Sequence, residues 1–242
     1  MEKAETRSRF LALLVFGIAM GFLEAAIVVY LRKLYFPAGF SFPLVVPDDP
    51  LVIFAELVRE VAAVVMLLAL AWIAGKNFLQ RFAWFLISFA FWDIFYYVGL
   101  KIFLNWPESL LTWDVLYLIP VTWVGPVLAP VLSSLLMIAL GWALLRVDRA
   151  GQEVKTNEWM MIYSGAFIIF LTFIWDFSVM IVRHDLYYAF FSIPENERYI
   201  SLVETYVPDK YNWFMFAVAV LLIGWAVSRM LRRTGPLFRG AV

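Results

Sequence analysis

The chain predicts an all-α fold, a polytopic integral membrane bundle of about six helices, and three observations predict it. Of 242 residues, 64% are apolar and only 16% are charged, against roughly 45–50% and about 25% in average soluble domains. Six stretches are long enough to cross a hydrocarbon core about 30 Å thick, which takes about 20 apolar residues in a helix. Lys plus Arg equals Asp plus Glu, 19 each, so the chain lacks the cationic excess of a nucleic-acid binder. Its apolar content excludes a disordered chain and a soluble repeat protein.

The spans fall at residues 10–31, 51–74, 82–103, 122–145, 159–182 and 212–230. The first is too long for a signal-peptide core and contains Glu24, so it reads as a retained span. Loops on the side of the amino terminus carry twelve lysines and arginines and the opposite loops six. The positive-inside rule then puts both termini on the cytoplasmic side of the cell membrane. The Arg229, Arg232 and Arg233 cluster is the clearest anchor.

The outer loops are the longer ones. Asn105-Trp106-Pro107-Glu108-Ser109 has the form of a helix start, with proline in the first turn, and predicts a short helix to about Leu118. In the last outer loop, Tyr199, Ile200, Leu202, Val203 and Tyr206 share helical spacing while Glu195, Glu197 and Glu204 fall elsewhere. Residues 194–206 thus read either as an interfacial amphipathic helix or as a loop packed on the bundle rim. Pro120, Gly125, Pro126 and Pro130 interrupt the approach to the fourth span, by a kink or by a break that exposes carbonyls to a cavity. A shift of 70 residues lays Pro50 on Pro120, Val61 on Val131 and Trp72 on Trp142. It suggests a weak parallel repeat of 50–103 with 120–182.

The chain has no cysteine and one histidine, His184. It offers neither thiolates for an iron–sulfur cluster nor paired axial histidines for a haem. A divalent cation such as Mg, Ca or Mn, held by oxygen ligands, remains open.

Intramembrane charge is the informative signal. Glu24, Glu56, Glu60, Asp93 and Asp176 fall inside spans; only Arg59 shares the interior with them, while Lys101 lies near a span end. An ionised group at the bilayer centre costs at least about 2.5–3.5 kcal/mol. Five such groups should face the bundle interior, where they pair, protonate or bind a cation. By helical rise all five lie at mid-depth or in the outer half, although their spans run in both directions.

Local faces support one shared site. Glu56, Arg59 and Glu60 sit at i, i+3 and i+4, on one helix face. Gly17 and Gly21 precede Glu24 on one face, a spacing that permits close helix approach. Asp93, Tyr97 and Lys101 form a row leading outward, and Thr172, Asp176 and Arg183 form another that exits beside His184 and Asp185. Asp114, in an outer loop, is placed to cover the cluster. Glu56, Glu60 and Asp93 are the candidate ligands if a metal binds. Trp-Asp pairs at 92–93, 113–114 and 175–176 set indole donors beside carboxylates.

The leading expectation is a small ion-coupled transporter binding a proton or hard cation. Two others stand beside it: a membrane-embedded enzyme acting on a lipid or other hydrophobic substrate, and a non-catalytic subunit of a larger membrane complex. The expected partners are the bilayer itself, a lipid or ion ligand, and membrane-complex subunits; nucleic acid is not among them.

Overall fold

The computed structural model describes residues 2–186 and 197–235, with side chains from residue 8 onward. The elements in chain order are α1 (Glu2–Tyr35), α2 (Pro50–Ala74), α3 (Phe78–Leu104), β1 (Trp113–Tyr117), β2 (Trp123–Pro126), α4 (Leu128–Arg149), α5 (Thr156–Arg183), α6 (Glu197–Val203) and α7 (Trp213–Arg233). Among the described residues, five helices are long and apolar enough to cross a membrane: α1 from Ser8, α3, α4, α5 and α7. The other long helix, α2, has 25 residues and carries Glu56, Arg59 and Glu60 in its first half. Large apolar side chains cover the perimeter, as lipid contact requires; Ile73 is 82% exposed and Phe214 79%.

Helix boundaries follow from capping chemistry. Asp49 accepts from the Leu51 amide with Pro50 at the first turn of α2, the arrangement proline tolerates best. Asn77 accepts from the Gln80 amide to start α3. Asn105 ends it in the left-handed region, at φ 52°, which asparagine adopts more readily than most residues. At α5, Glu158 reaches back to the Lys155 amide.

Packing differs along the bundle. The most extensive contact is between α1 and α3. A Cβ on Gly21 would stand 2.7 Å from the Trp92 carbonyl oxygen, and one on Gly17 2.8 Å from Phe91 Cβ. The glycine face read from the sequence is the one on which these helices meet. Next, α4 packs on α3 and α7, and α5 runs along α7. A core of Trp84, Ile87, Leu140, Leu144, Ile162, Ile223 and Met230 fills the end away from the long loops. In α2 the buried stripe is narrow: Glu60, Ala63, Leu67 and Ala71. It packs against α3 and makes no extended contact with α1.

Two sequence expectations are corrected. Residues 105–118 do not form a short helix. After Asn105 the chain turns, and the strand-forming Trp113, Val115 and Tyr117 pair antiparallel with β2, in the register Trp113↔Pro126, Asp114↔Gly125, Val115↔Val124 and Tyr117↔Trp123. Branched and aromatic side chains suit a pleated surface and outweigh the helix-start grammar upstream. The fourth span consequently begins at Leu128 rather than at residue 122, because Trp123–Pro126 is committed to β2.

The hairpin also descends into the bundle. Asp114 pairs with Arg32, close to the end of α1. Leu118 meets Glu60, which lies about 15 Å along α2 from its start by helical rise. Polar backbone at that depth is tolerated where protein surrounds it or a cavity adjoins it, and both hold here.

In the last long loop, α6 is a helix packed on the bundle. Tyr199, Val203 and Tyr206 are buried against Phe177 and Ile181. Glu195 lies outside the described residues.

Candidate functional site

A chamber of about 290 Å³ lies between α1, α2, α3 and β1. Four of the five predicted intramembrane carboxylates line it: Glu24, Glu56, Glu60 and Asp93, together with Arg59. Asp114 and Tyr97, expected at the rim, line it too. Convergence of the charged residues on one space is therefore a property of the fold.

Each carboxylate is engaged, Glu24 and Glu56 by the same guanidinium. Arg59 Nε and Nη2 bond Glu56 Oε2 at 2.9 and 2.8 Å, and Nη1 pairs with Glu24 across the gap to α1. One guanidinium thus ties α2 to α1 across the chamber. Both oxygens of buried Glu60 accept from the Leu118 amide, at 3.1 and 3.0 Å, and the Tyr117 hydroxyl donates to the Glu60 carbonyl at 3.2 Å. Glu60 therefore holds the tip of the hairpin. Asp93 accepts from Ser134 Oγ of α4 at 2.8 Å.

Asp114 is 1% exposed and receives Arg32 Nη2 at 2.8 Å and the Val115 amide at 2.9 Å, both on Oδ1. Burial raises its pKa above the ordinary carboxylate value; the Arg32 guanidinium, Tyr97 and the Val115 amide oppose that rise. No hydrogen bond of good geometry reaches its Oδ2. Arg32 is itself buried, with the Trp106 ring 3.8 Å and the Phe40 ring 4.2 Å from its guanidinium carbon. These ring faces are cation–π partners and account for the absence of a hydrogen bond at Arg32 Nη1. Trp92 Nε1 is another buried donor without an acceptor, on a side chain that lines the chamber.

Five carboxyl groups thus face two guanidiniums around one space. Such an excess in low dielectric must be offset by protons or by a bound cation. Among the described residues, no three His, Asp or Glu side chains gather closely enough to hold a metal ion. Glu56, Glu60 and Asp93 instead spend their oxygens on Arg59, the Leu118 amide and Ser134.

The other predicted residues lie elsewhere. Asp176, on α5, accepts from the Tyr206 hydroxyl at 2.6 Å, and Thr172 bonds the Tyr211 hydroxyl at 2.8 Å. The polar stripe of α5 thus binds tyrosines of the last long loop. Lys101 donates to the Pro107 carbonyl at 2.9 Å and caps the end of α3. Arg183, His184 and Asp185 are exposed at the end of α5, where His184 Nδ1 bonds the Met180 carbonyl at 2.9 Å.

Sequence reasoning overlooked Arg32, Tyr96, Tyr117 and Ser134. For Arg32 a signal existed: it lies eight residues beyond Glu24, hence on the same helix face.

Taken together, the fold and site define a multi-pass helical membrane protein with a charged chamber in one half of the bundle. No family model, curated protein or solved structure matches the chain.

Proposed function

We propose that this protein is a small ion-coupled transporter of the cell membrane, with both termini cytoplasmic, and that its chamber binds and releases a proton. The observation that carries this reading is the ratio of five carboxyl groups to two guanidiniums around a single space of about 290 Å³. Engagement of these carboxyls by Arg59, the Leu118 amide and Ser134, with no three converging on one point, favours a proton over a hard metal cation. The hairpin descending to the level of Glu60 supports the same reading. Irregular backbone beside a mid-depth cavity recurs in transporter sites.

The test is proton uptake by proteoliposomes under an imposed potential, read with an internal pH dye. Wild-type protein should acidify or alkalinise the lumen, and Asp93→Asn should reduce the rate at least tenfold. Equal rates for wild type, Asp93→Asn and empty vesicles would refute the proposal.

A second reading, an enzyme acting on a hydrophobic substrate, is favoured by one observation. Much of the chamber wall is apolar, including Val28, Leu31, Val45, Val52 and Ile53. Retention of one lipid species in mass spectra of purified protein, and its chemical conversion on incubation, would select that reading.

A further inference from the structure

We infer that the chamber takes a hydrophobic organic cation, an amine or quaternary ammonium bearing apolar substituents, and exchanges it for protons. This rests on the proton-coupled reading above and adds a substrate class to it.

The first support is the order of side chains along the two helices that flank the space. Both α1 and α2 meet the long loops at the same end. Glu24, Arg59 and Glu60 lie about 13–16 Å from that end by helical rise. Closer to it come Val28 and Leu31 on α1, Val52 and Ile53 on α2, and Phe36 and Val45 between the helices. The Arg32–Asp114 pair interrupts this lining but cancels in formal charge, and Glu56 stands between the two levels, so the net negative charge lies toward the floor beneath a largely apolar collar. A lipid standing normally in the leaflet has the opposite polarity, with its head toward the surface. A compact cation with an apolar substituent matches the observed order, its charge reaching the floor and its substituent filling the collar.

The second support is the kind of cation this lining recognises. A divalent cation held by carboxylates asks for several converging on one point, and among the described residues no three His, Asp or Glu side chains do so. An ammonium group asks instead for net negative charge and aromatic faces within about 6 Å. Trp92, Tyr96, Tyr97 and Tyr117 supply rings among the carboxylates.

The third support is independent of the acidic count. Asp114 lines the chamber and is almost wholly buried; Arg32 and the Val115 amide share its Oδ1, Tyr97 interacts with the carboxylate, and Oδ2 still lacks a hydrogen bond of good geometry. A buried acceptor left in that state costs stability unless a partner arrives. A protonated amine supplies a donor, and a quaternary ammonium supplies charge alone.

Exchange follows from charge balance. The carboxylate excess can be offset by protons or by an organic cation. Arrival of one monovalent cation displaces up to one proton, and rebinding of that proton releases the cation.

The experiment is calorimetric titration of the purified full chain with three probes. Benzyltrimethylammonium carries both charge and ring, tetramethylammonium the charge alone, and benzyl alcohol the ring alone. The first should bind at least tenfold more tightly than either of the others. Its affinity should fall at least tenfold as the pH drops from about 8 to about 5. Buffers of different ionisation enthalpy should register proton release on binding. Ile53→Asn, in the collar, should weaken benzyltrimethylammonium at least tenfold while leaving tetramethylammonium affinity unchanged, because only the ring reaches the collar.

Benzyl alcohol binding as tightly as benzyltrimethylammonium would overturn the inference and mark a plain apolar slot. So would affinity that does not change with pH. Persistent proton flux with no binding of any probe would overturn the inference and leave the proton reading standing. Absence of both flux and binding would remove the two together.

Discussion

At the end away from the long loops, Glu158 is fully buried and three donor groups reach it: Arg233 Nε at 3.2 Å, Arg233 Nη2 at 2.8 Å and the Lys155 amide at 2.9 Å. Asp148 is engaged in a similar way, by Asn77 at 2.7 Å and Gln80 at 2.7 Å. Packed apolar side chains surround this region. At the other end, Glu24, Glu56, Glu60, Asp93 and Asp114 surround a void. Their partners are fewer than their lone pairs, and Asp114 Oδ2 lacks a hydrogen bond of good geometry. Both ends pair arginine with carboxylate. The two ends differ in the completeness of the shell around each carboxylate and in the presence of space beside it, and on the proposed reading that difference separates charges that fasten helices from charges that bind.

The contrast breaks most visibly at Arg233. Arg233→Ala strands a fully buried Glu158 without its guanidinium, and losing one partner of a buried pair costs about 3–5 kcal/mol. Thermal unfolding in detergent should show that loss, while the folded fraction keeps its proton flux. Loss of flux in fully folded Arg233→Ala would erase the distinction between the two ends.

Asp93 and Asp176 sharpen it. Each accepts one hydroxyl hydrogen bond, from Ser134 and Tyr206 respectively. Asparagine at either site should cost about 1 kcal/mol of stability. Only Asp93→Asn should slow vesicle proton flux, because Asp176 lies apart from the chamber. Equal slowing by Asp176→Asn would mean that the functional region extends to α5.

The smallest effect is a pH slope. The raised pKa of Asp114 means that folded protein holds this proton at pH values where the unfolded carboxyl has lost it. Stability from this group therefore rises as pH falls through the folded pKa toward the ordinary aspartate value near 3.9. Melting curves between about pH 4 and pH 7 should show that rise in wild type and less of it in Asp114→Asn. A slope of the opposite sign would place Arg32 pairing above burial at this site.

The sequence disclosed the depth of the charges but not their azimuth. Positions of Glu24, Glu56, Glu60 and Asp93 within apolar runs sufficed to predict a shared level. Asp176 sits at a comparable depth, yet its helix presents it to Tyr206. Rotation about a helix axis is set by packing partners that a single sequence does not display. Arg32 was hidden for a related reason. Near the end of a span, an arginine reads as an interfacial anchor, and only the folded hairpin brings Asp114 and Trp106 to it. The hairpin itself was obscured by Pro107, whose helix-start context is genuine but ends in a turn.

Glu60 has one more consequence. Its carboxylate stands where a neighbouring strand would otherwise supply an acceptor for the Leu118 amide. In effect one side chain is the missing next strand of a two-stranded sheet. The carboxylate that lines the chamber is also the stop against which the hairpin rests, so the proposed chemistry and the architecture share a single atom pair. Glutamine at this position separates them, because it keeps an acceptor for the amide and gives up the charge, whereas alanine removes both.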